Sequence, residues 1–462
     1  VYKRQEQQNR QMNHNTKIPF LKRVIVALIS CGIFISCSDT PNVPLDTKHL
    51  EEFHKATTPT ETVGITTENL ALFVDYSNCI ANGMSSSFYQ KIVSPLTAAT
   101  KEYWSIKGDQ INKETGSVYS LLNNIEEISY AALDVAIEQM AERNTEAVML
   151  TDGELFTQTA TKNNPNNPYM HAAFKKWLLK GHDIHIIAEP FQESYKGHEF
   201  NKKRFYIIFT DDRLEGNIYK RIREIVNLKE YPQVSEFHLS GNYPWPIPTN
   251  DKHAEPNPIV AANTKGFDAM EIQDWQVDWK NITELIVNGY DEEGNPLPNG
   301  DKIISGLKVN KNAFGCYQIN NIDVHVSCIN AAYFDYYNRL EAGEKVDKIA
   351  PSPLLKDFMI ADAEKFKEDG SVDLYFDINN FAPDADLTGT PYNYLKIEII
   401  TKDLENVIGN NIDMFKFDSI VNDGQMNESI SESLKNCVFD PELLNKLKGK
   451  TLYTIYIKSD KY

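Results

Sequence analysis

Two stretches of this chain are apolar at every position, Leu70-Ala-Leu-Phe-Val74 and Ala147-Val-Met-Leu150. A strand with one face in water alternates polar and apolar side chains, whereas an unbroken apolar run must be covered on both faces. Each run also stops at acid: Asp75 follows the first, and Thr151-Asp152-Gly153-Glu154 follows the second. Helical patterns lie between the runs. Phe88, Ile92, Leu96 and Ala99 recur at helical spacing, residues 130–142 are amphipathic, and residues 169–180 end at Gly181, a fitting C-cap. Further strands are expected at 183–188 and 204–210, a hairpin about Gly108, and a helix at 217–227. This order predicts a mostly parallel, doubly wound α/β sheet with helices on both faces over residues 67–240.

The ends have a different texture. Lys17, Lys22 and Arg23 precede a short apolar run at 24–36, which stops at Cys37 before the polar Ser-Asp-Thr-Pro-Asn. That run is shorter than the roughly 20 residues a spanning helix needs. Residues 1–36 are therefore expected to be a signal peptide, residues 1–11 lying ahead of a candidate start at Met12, with Cys37 as the lipidated residue of a bacterial lipoprotein. Cys31 is the rival site, but cleavage there would leave Gly-Ile-Phe-Ile-Ser on the product. Residues 37–66, rich in Pro, Thr and charge, are expected to be a lipidated tether. The expected location is the cell envelope, at the outer membrane of a Gram-negative bacterium, with the lipid as the membrane contact.

Residues 1–36 carry six Lys/Arg and one Glu, so the remainder has 41 positive and 64 negative side chains, a net charge of −23. Such a chain is repelled by phosphate backbones, which argues against a nucleic-acid partner. Cys79, Cys316, Cys328 and Cys437 are too few for a disulfide scaffold, although Cys316 and Cys328 flank one strand and could bridge. There is no CxxC motif and no Cys/His cluster of the kind that builds a structural zinc site.

A Pro-rich linker is expected at 241–258. Beyond it, residues 259–462 hold alternating, β-rich runs such as Ser371–Phe381 and Thr451–Asp460 separated by turn-rich stretches. They are expected to form a sandwich-like β region.

In an open α/β sheet, ligands gather outside the carboxyl ends of the strands, where Asp75 and Asp152 fall. The ordered set Asp75-Tyr-Ser77-Asn-Cys79, then Tyr130-Ala-Ala-Leu133, then Thr151-Asp152-Gly153 resembles the von Willebrand factor A family over roughly residues 67–240. That resemblance implies a metal-ion-dependent adhesion site holding Mg²⁺, with Asp75 and Ser77 in the first turn and Asp152 in the last. It also implies a partner carboxylate completing the coordination shell. Mg²⁺ takes hard oxygen ligands and keeps several waters, so few protein ligands suffice. Cys79 stands where a second Ser is expected, and a thiol is a poor Mg²⁺ ligand. Counting back from Ala131-Ala132-Leu133 puts Glu127 near the family's Thr position, with Ser129 close by; a Glu there would suit Ca²⁺ better.

Other polar groups have plainer readings. Ser85–Ser87 form a helix N-cap region, Glu154 is a solvated first-turn charge, and Asp211-Asp212 cap an element. His182 and His185 face opposite sides of a strand. Trp275 and Trp279 belong to a core, and the acidic stretch Asp377–Asp386 matches no calcium loop. No G-x-S-x-G elbow and no P-loop is present, and no His stands ready to activate Ser77 or Cys79. The expected function is a lipid-anchored binding protein for a protein or glycan partner, not an enzyme. The rivals are a metal-dependent hydrolase in the same crevice and a structural envelope subunit with a dead metal site.

Overall fold

A computed structural model describes residues 47–57, 63–125, 131–155, 166–242, 260–262, 284–285, 293, 295, 302–309, 311, 317–355, 359–361, 366–368, 370–376, 392–406, 410–420 and 425–460. All of them lie in one unit, Leu45–Tyr462. The signal peptide, Cys37, Cys316, Trp275, Trp279 and Asp377–Asp386 fall outside the described residues, as does nearly all of the 241–258 linker. Among the described residues no helix is long and apolar enough to cross a membrane.

The chain opens with α1 (Thr47–Thr57), followed by β1 (Thr66–Asp75), α2 (Asn78–Ala81) and α3 (Ser87–Ala99). Next come β2 (Thr100–Lys107), β3 (Gln110–Glu114), α4 (Val118–Asn123), α5 (Leu133–Glu142) and β4 (Thr145–Thr151). The sheet is completed through α6 (His171–Leu179), β5 (Asp183–Tyr195), β6 (His198–Thr210), α7 (Ile218–Ile225) and β7 (Ser235–Ser240).

These strands make a seven-stranded mixed sheet in the order β3-β2-β1-β4-β6-β5-β7. β1 lies between β2 and β4 and runs parallel to both. Its central position explains the unbroken apolar run, since Leu70 to Val74 are all fully buried. Leu70, Leu72 and Val74 pack under α3 and α7 with Phe88, Ile92 and Ile222. Ala71 and Phe73 pack on the other face, with Ile137 and Met140 of α5 and Phe174 and Trp177 of α6. Both faces are covered, as expected.

The expectation of a mostly parallel sheet needs correction. β6 is antiparallel to β4, and β5 is antiparallel to both β6 and β7. For β5 and β6 the cause is the pair Lys196-Gly197, with φ of 50° and 80°. Positive φ at both central residues makes a tight two-residue hairpin, which joins antiparallel strands and leaves no chain for a crossover. The hairpin arms are 13 residues each, so β5 and β6 project well past the end of β4.

The second half contributes β8 (Val260–Ala262), β9 (Glu284–Leu285), β10 (Lys302–Val309), β11 (Tyr317–Cys328), α8 (Asn330–Glu341), β12 (Leu354–Leu355), β13 (Met359–Ala361), β14 (Ser371–Phe376) and β15 (Tyr392–Asn406). It ends with β16 (Phe417–Asp418), β17 (Met426–Asn427), α9 (Ser429–Val438), α10 (Pro441–Leu447) and β18 (Thr451–Asp460). Among the described residues these strands form the sheets β13-β14-β10-β8 and β12-β11-β15-β18-β9 and the two-stranded pair β16-β17. A separate, largely antiparallel β region therefore exists. Its helices α9 and α10 pack against α6, and Ile430, Leu434, Leu443 and Leu447 join the core that also holds Phe174 and Trp177.

Residues 47–57, expected as tether, are a docked helix. Leu50, Phe53 and His54 recur at i, i+3 and i+4, and all three are buried. Phe53 meets Tyr333 and Tyr336 of α8 edge-on at 5.3 and 5.7 Å. His54 Nδ1 lies 2.5 Å from Tyr456 Oη on β18.

Candidate functional site

Parallel pairing of β1 with β4 sets Val74 opposite Leu150, so Asp75 and the Thr151-Asp152 turn emerge side by side on one rim. The Thr151 hydroxyl donates to Asp75 Oδ2 at 2.9 Å. Gly153 N–H donates to the same hydroxyl at 3.0 Å, and Glu154 N–H donates to Asp152 Oδ1 at 2.9 Å. Gly153 has φ +75°, and a Cβ there would lie 2.6 Å from Ile430 Cδ1. Glycine is thus required twice, for the turn and for the close approach of α9.

Asp75 is buried, and among the described residues its Oδ1 has no hydrogen-bond partner. Burial, then the charge of Asp152, push its carboxyl well above the usual range; the Thr151 and Ser77 hydroxyls only partly offset this. Asp152 is pushed up by burial and pulled back by Lys202. Three of the five expected ligands, Asp75, Ser77 and Asp152, are therefore neighbours. Glu127 and Ser129 lie outside the described residues, and of Cys79 only its place in α2 is described.

Several residues at this rim were not anticipated. The overhanging arm of β6 brings in Lys202, whose side chain is 0% exposed and whose ammonium lies 3.7 Å from Asp152 Oδ2 and bonds Glu154. Glu154 is not the solvated helix charge expected, since it is largely buried and also accepts from the Ser419 hydroxyl. Glu193, on the overhanging arm of β5, is raised by burial and feels Lys202, Asp152 and Glu154. Tyr169 donates to Gly153 O at 3.1 Å. The only hint of this in sequence was Lys196-Gly197, the signature of the hairpin that carries Glu193 and Lys202 past the rim.

A second cluster lies at the other end of the same sheet. His185 on β5 stands opposite His238 on β7, and Asp212 follows β6. His185 Nε2 is 3.0 Å from Asp212 Oδ1, and His238 Nε2 is 3.5 Å from Asp212 Oδ2. The ligand atoms of His185, Asp212 and His238 lie within 4.8 Å of one another, a grouping that could hold a metal ion. His238 Nε2 also meets Asp183 Oδ1 at 3.0 Å, and Asp212 N–H donates to Asp183 Oδ2 at 2.8 Å. Burial, then the charge of His238, lower the pKa of His185. Asp183 raises that of His238 against the opposing effect of burial. His182 instead pairs with Asp211 at 2.8 Å beside Trp177, so the two histidines of this strand start do serve opposite faces. Asp211 and Asp212 hold these histidines, while the cap of α7 is Asn217. Ser86 caps α3 as expected, its Oγ accepting from Tyr89 N–H at 3.2 Å.

The fold and the two clusters define a mixed α/β protein with a buried acidic rim at one end of its sheet and a His/Asp group at the other. No family model, no curated protein and no solved structure matches the chain.

Proposed function

We propose that this protein is an envelope binding module of the von Willebrand factor A type, anchored by lipid at Cys37. In this reading, Asp75, Ser77 and Asp152 hold a hard divalent cation, Mg²⁺ or Ca²⁺, through which a protein or glycan partner is recognised. One observation carries the reading: Asp75 Oδ1 is a buried carboxyl oxygen with no hydrogen-bond partner among the described residues, set against a second carboxylate and two hydroxyls. Buried polar atoms are nearly always satisfied, so an unmet carboxyl oxygen beside other hard oxygen donors fits a site for a cation. Hard oxygen donors of this kind fit Mg²⁺ or Ca²⁺.

The test is thermal unfolding in Mg²⁺, in Ca²⁺ and in EDTA, for the parent protein and for Asp75→Ala. The reading requires a cation-dependent rise in Tm that vanishes in the variant. A parent Tm indifferent to all three conditions overturns it. The rival, a structural subunit with a dead metal site, draws support from Lys202, whose buried ammonium already neutralises part of the rim.

A further inference from the structure

We infer that His185, Asp212 and His238 form a second, chemically distinct metal site that takes a borderline first-row ion of the Zn²⁺ class. Two imidazoles and one carboxylate are a donor set that suits Zn²⁺, Ni²⁺ or Cu²⁺ and does not suit Mg²⁺. The three residues come from different elements, β5, the β6–α7 loop and β7, so the ion would tie the edge strand to its neighbours. The supports are already in place. Asp183 is buried, and its Oδ2 accepts from the Asp212 main-chain N–H, which makes it a positioning residue for Asp212; its Oδ1 meets His238 Nε2, a contact that the ring gives up when it turns onto the ion.

The ring geometry says how the ion is admitted. The two imidazoles are stacked, centroids 4.1 Å apart and planes 8° apart. A metal–nitrogen bond lies in the ring plane, so two parallel stacked rings cannot serve one ion until one of them turns. His185 is held between His238 and Tyr219, the latter stacked at 3.5 Å and 6°. His238 sits on the sheet's edge strand with its side chain 38% exposed. The turning ring is therefore His238, closing onto an ion that enters from the β7 edge. No catalytic step is assigned to the site.

Co²⁺ is the probe, because its ligand-field absorption reports the donors directly. Titrating the full chain should give one equivalent of bound Co²⁺ with visible bands, displaced by Zn²⁺ and not by Mg²⁺. His238→Ala, a change at an exposed edge, should abolish the bands, and Asp183→Asn should weaken binding by about 10- to 100-fold. Asp75→Ala should leave the bands intact, which separates this site from the acidic rim. Absence of bands in the parent, or bands that survive in a folded His238→Ala protein, overturns the inference.

Discussion

Replacing Lys202 by Met would strip the acidic rim of its buried ammonium while keeping the volume of the side chain. The Lys202 side chain is 0% exposed, and the Asp152 and Glu154 side chains beside it are only 13% and 7% exposed. Removing one partner of a buried pair leaves an uncompensated charge, at a cost of about 3–5 kcal/mol. Ser419 Oγ and Ile420 N–H also serve Glu154, so the lower end of that range is expected. The assay is urea unfolding at neutral pH, followed through the buried Trp177. The acids also fix how the loss varies with pH. Asp152 and Glu193 already sit above the ordinary carboxylate range, so they take up protons on folding. Such groups destabilise the fold as pH rises through their raised values, and the penalty fades as pH falls. The Lys202→Met deficit should therefore shrink in mild acid and be partly recovered by Mg²⁺ or Ca²⁺ at neutral pH. A loss below about 1 kcal/mol, the scale of an exposed pair, would refute the view that Lys202 is the rim's structural cation.

Three further outcomes follow from the geometry. In EDTA at neutral pH, Asp75→Asn should raise Tm, because it removes a carboxyl whose ionisation is opposed by burial and by Asp152; a fall in Tm would contradict this. Gly241→Ala should destabilise by about 2–4 kcal/mol in denaturant melts, since its Cβ would lie 1.9 Å from the main-chain oxygen of Leu178. His54 is held down to about 3 by burial, so its contribution is full above the unfolded value near 6.5 and is lost as pH falls from there toward 3. The acid limb of stability should lose about 1.4 kcal/mol per pH unit from this group, and His54→Gln should be measurably flatter between pH 6 and 4.

The parts of the fold that could be read from sequence were those where burial alone dictates residue type. The unbroken runs at 70–74 and 147–150 demanded two covered faces, and the acids that end them fell on one rim because parallel neighbours must finish side by side. Strand direction further along was hidden, because an apolar strand looks the same whichever way its neighbour runs. Only Lys196-Gly197 marked the reversal, and with it the arrival of Glu193 and Lys202. Helix α1 was masked by Thr-rich flanks, although Leu50, Phe53 and His54 keep helical spacing. The His185/His238 pairing depends on a register between β5 and β7 that neither strand encodes by itself.

The docking of α1 has a mechanical consequence. Leu50 and Phe53 are sunk into the body of the protein, Phe53 edge-on against Tyr333 and Tyr336, so a pull on the chain ahead of residue 47 would be borne first by that aromatic contact and only afterwards by the sheets.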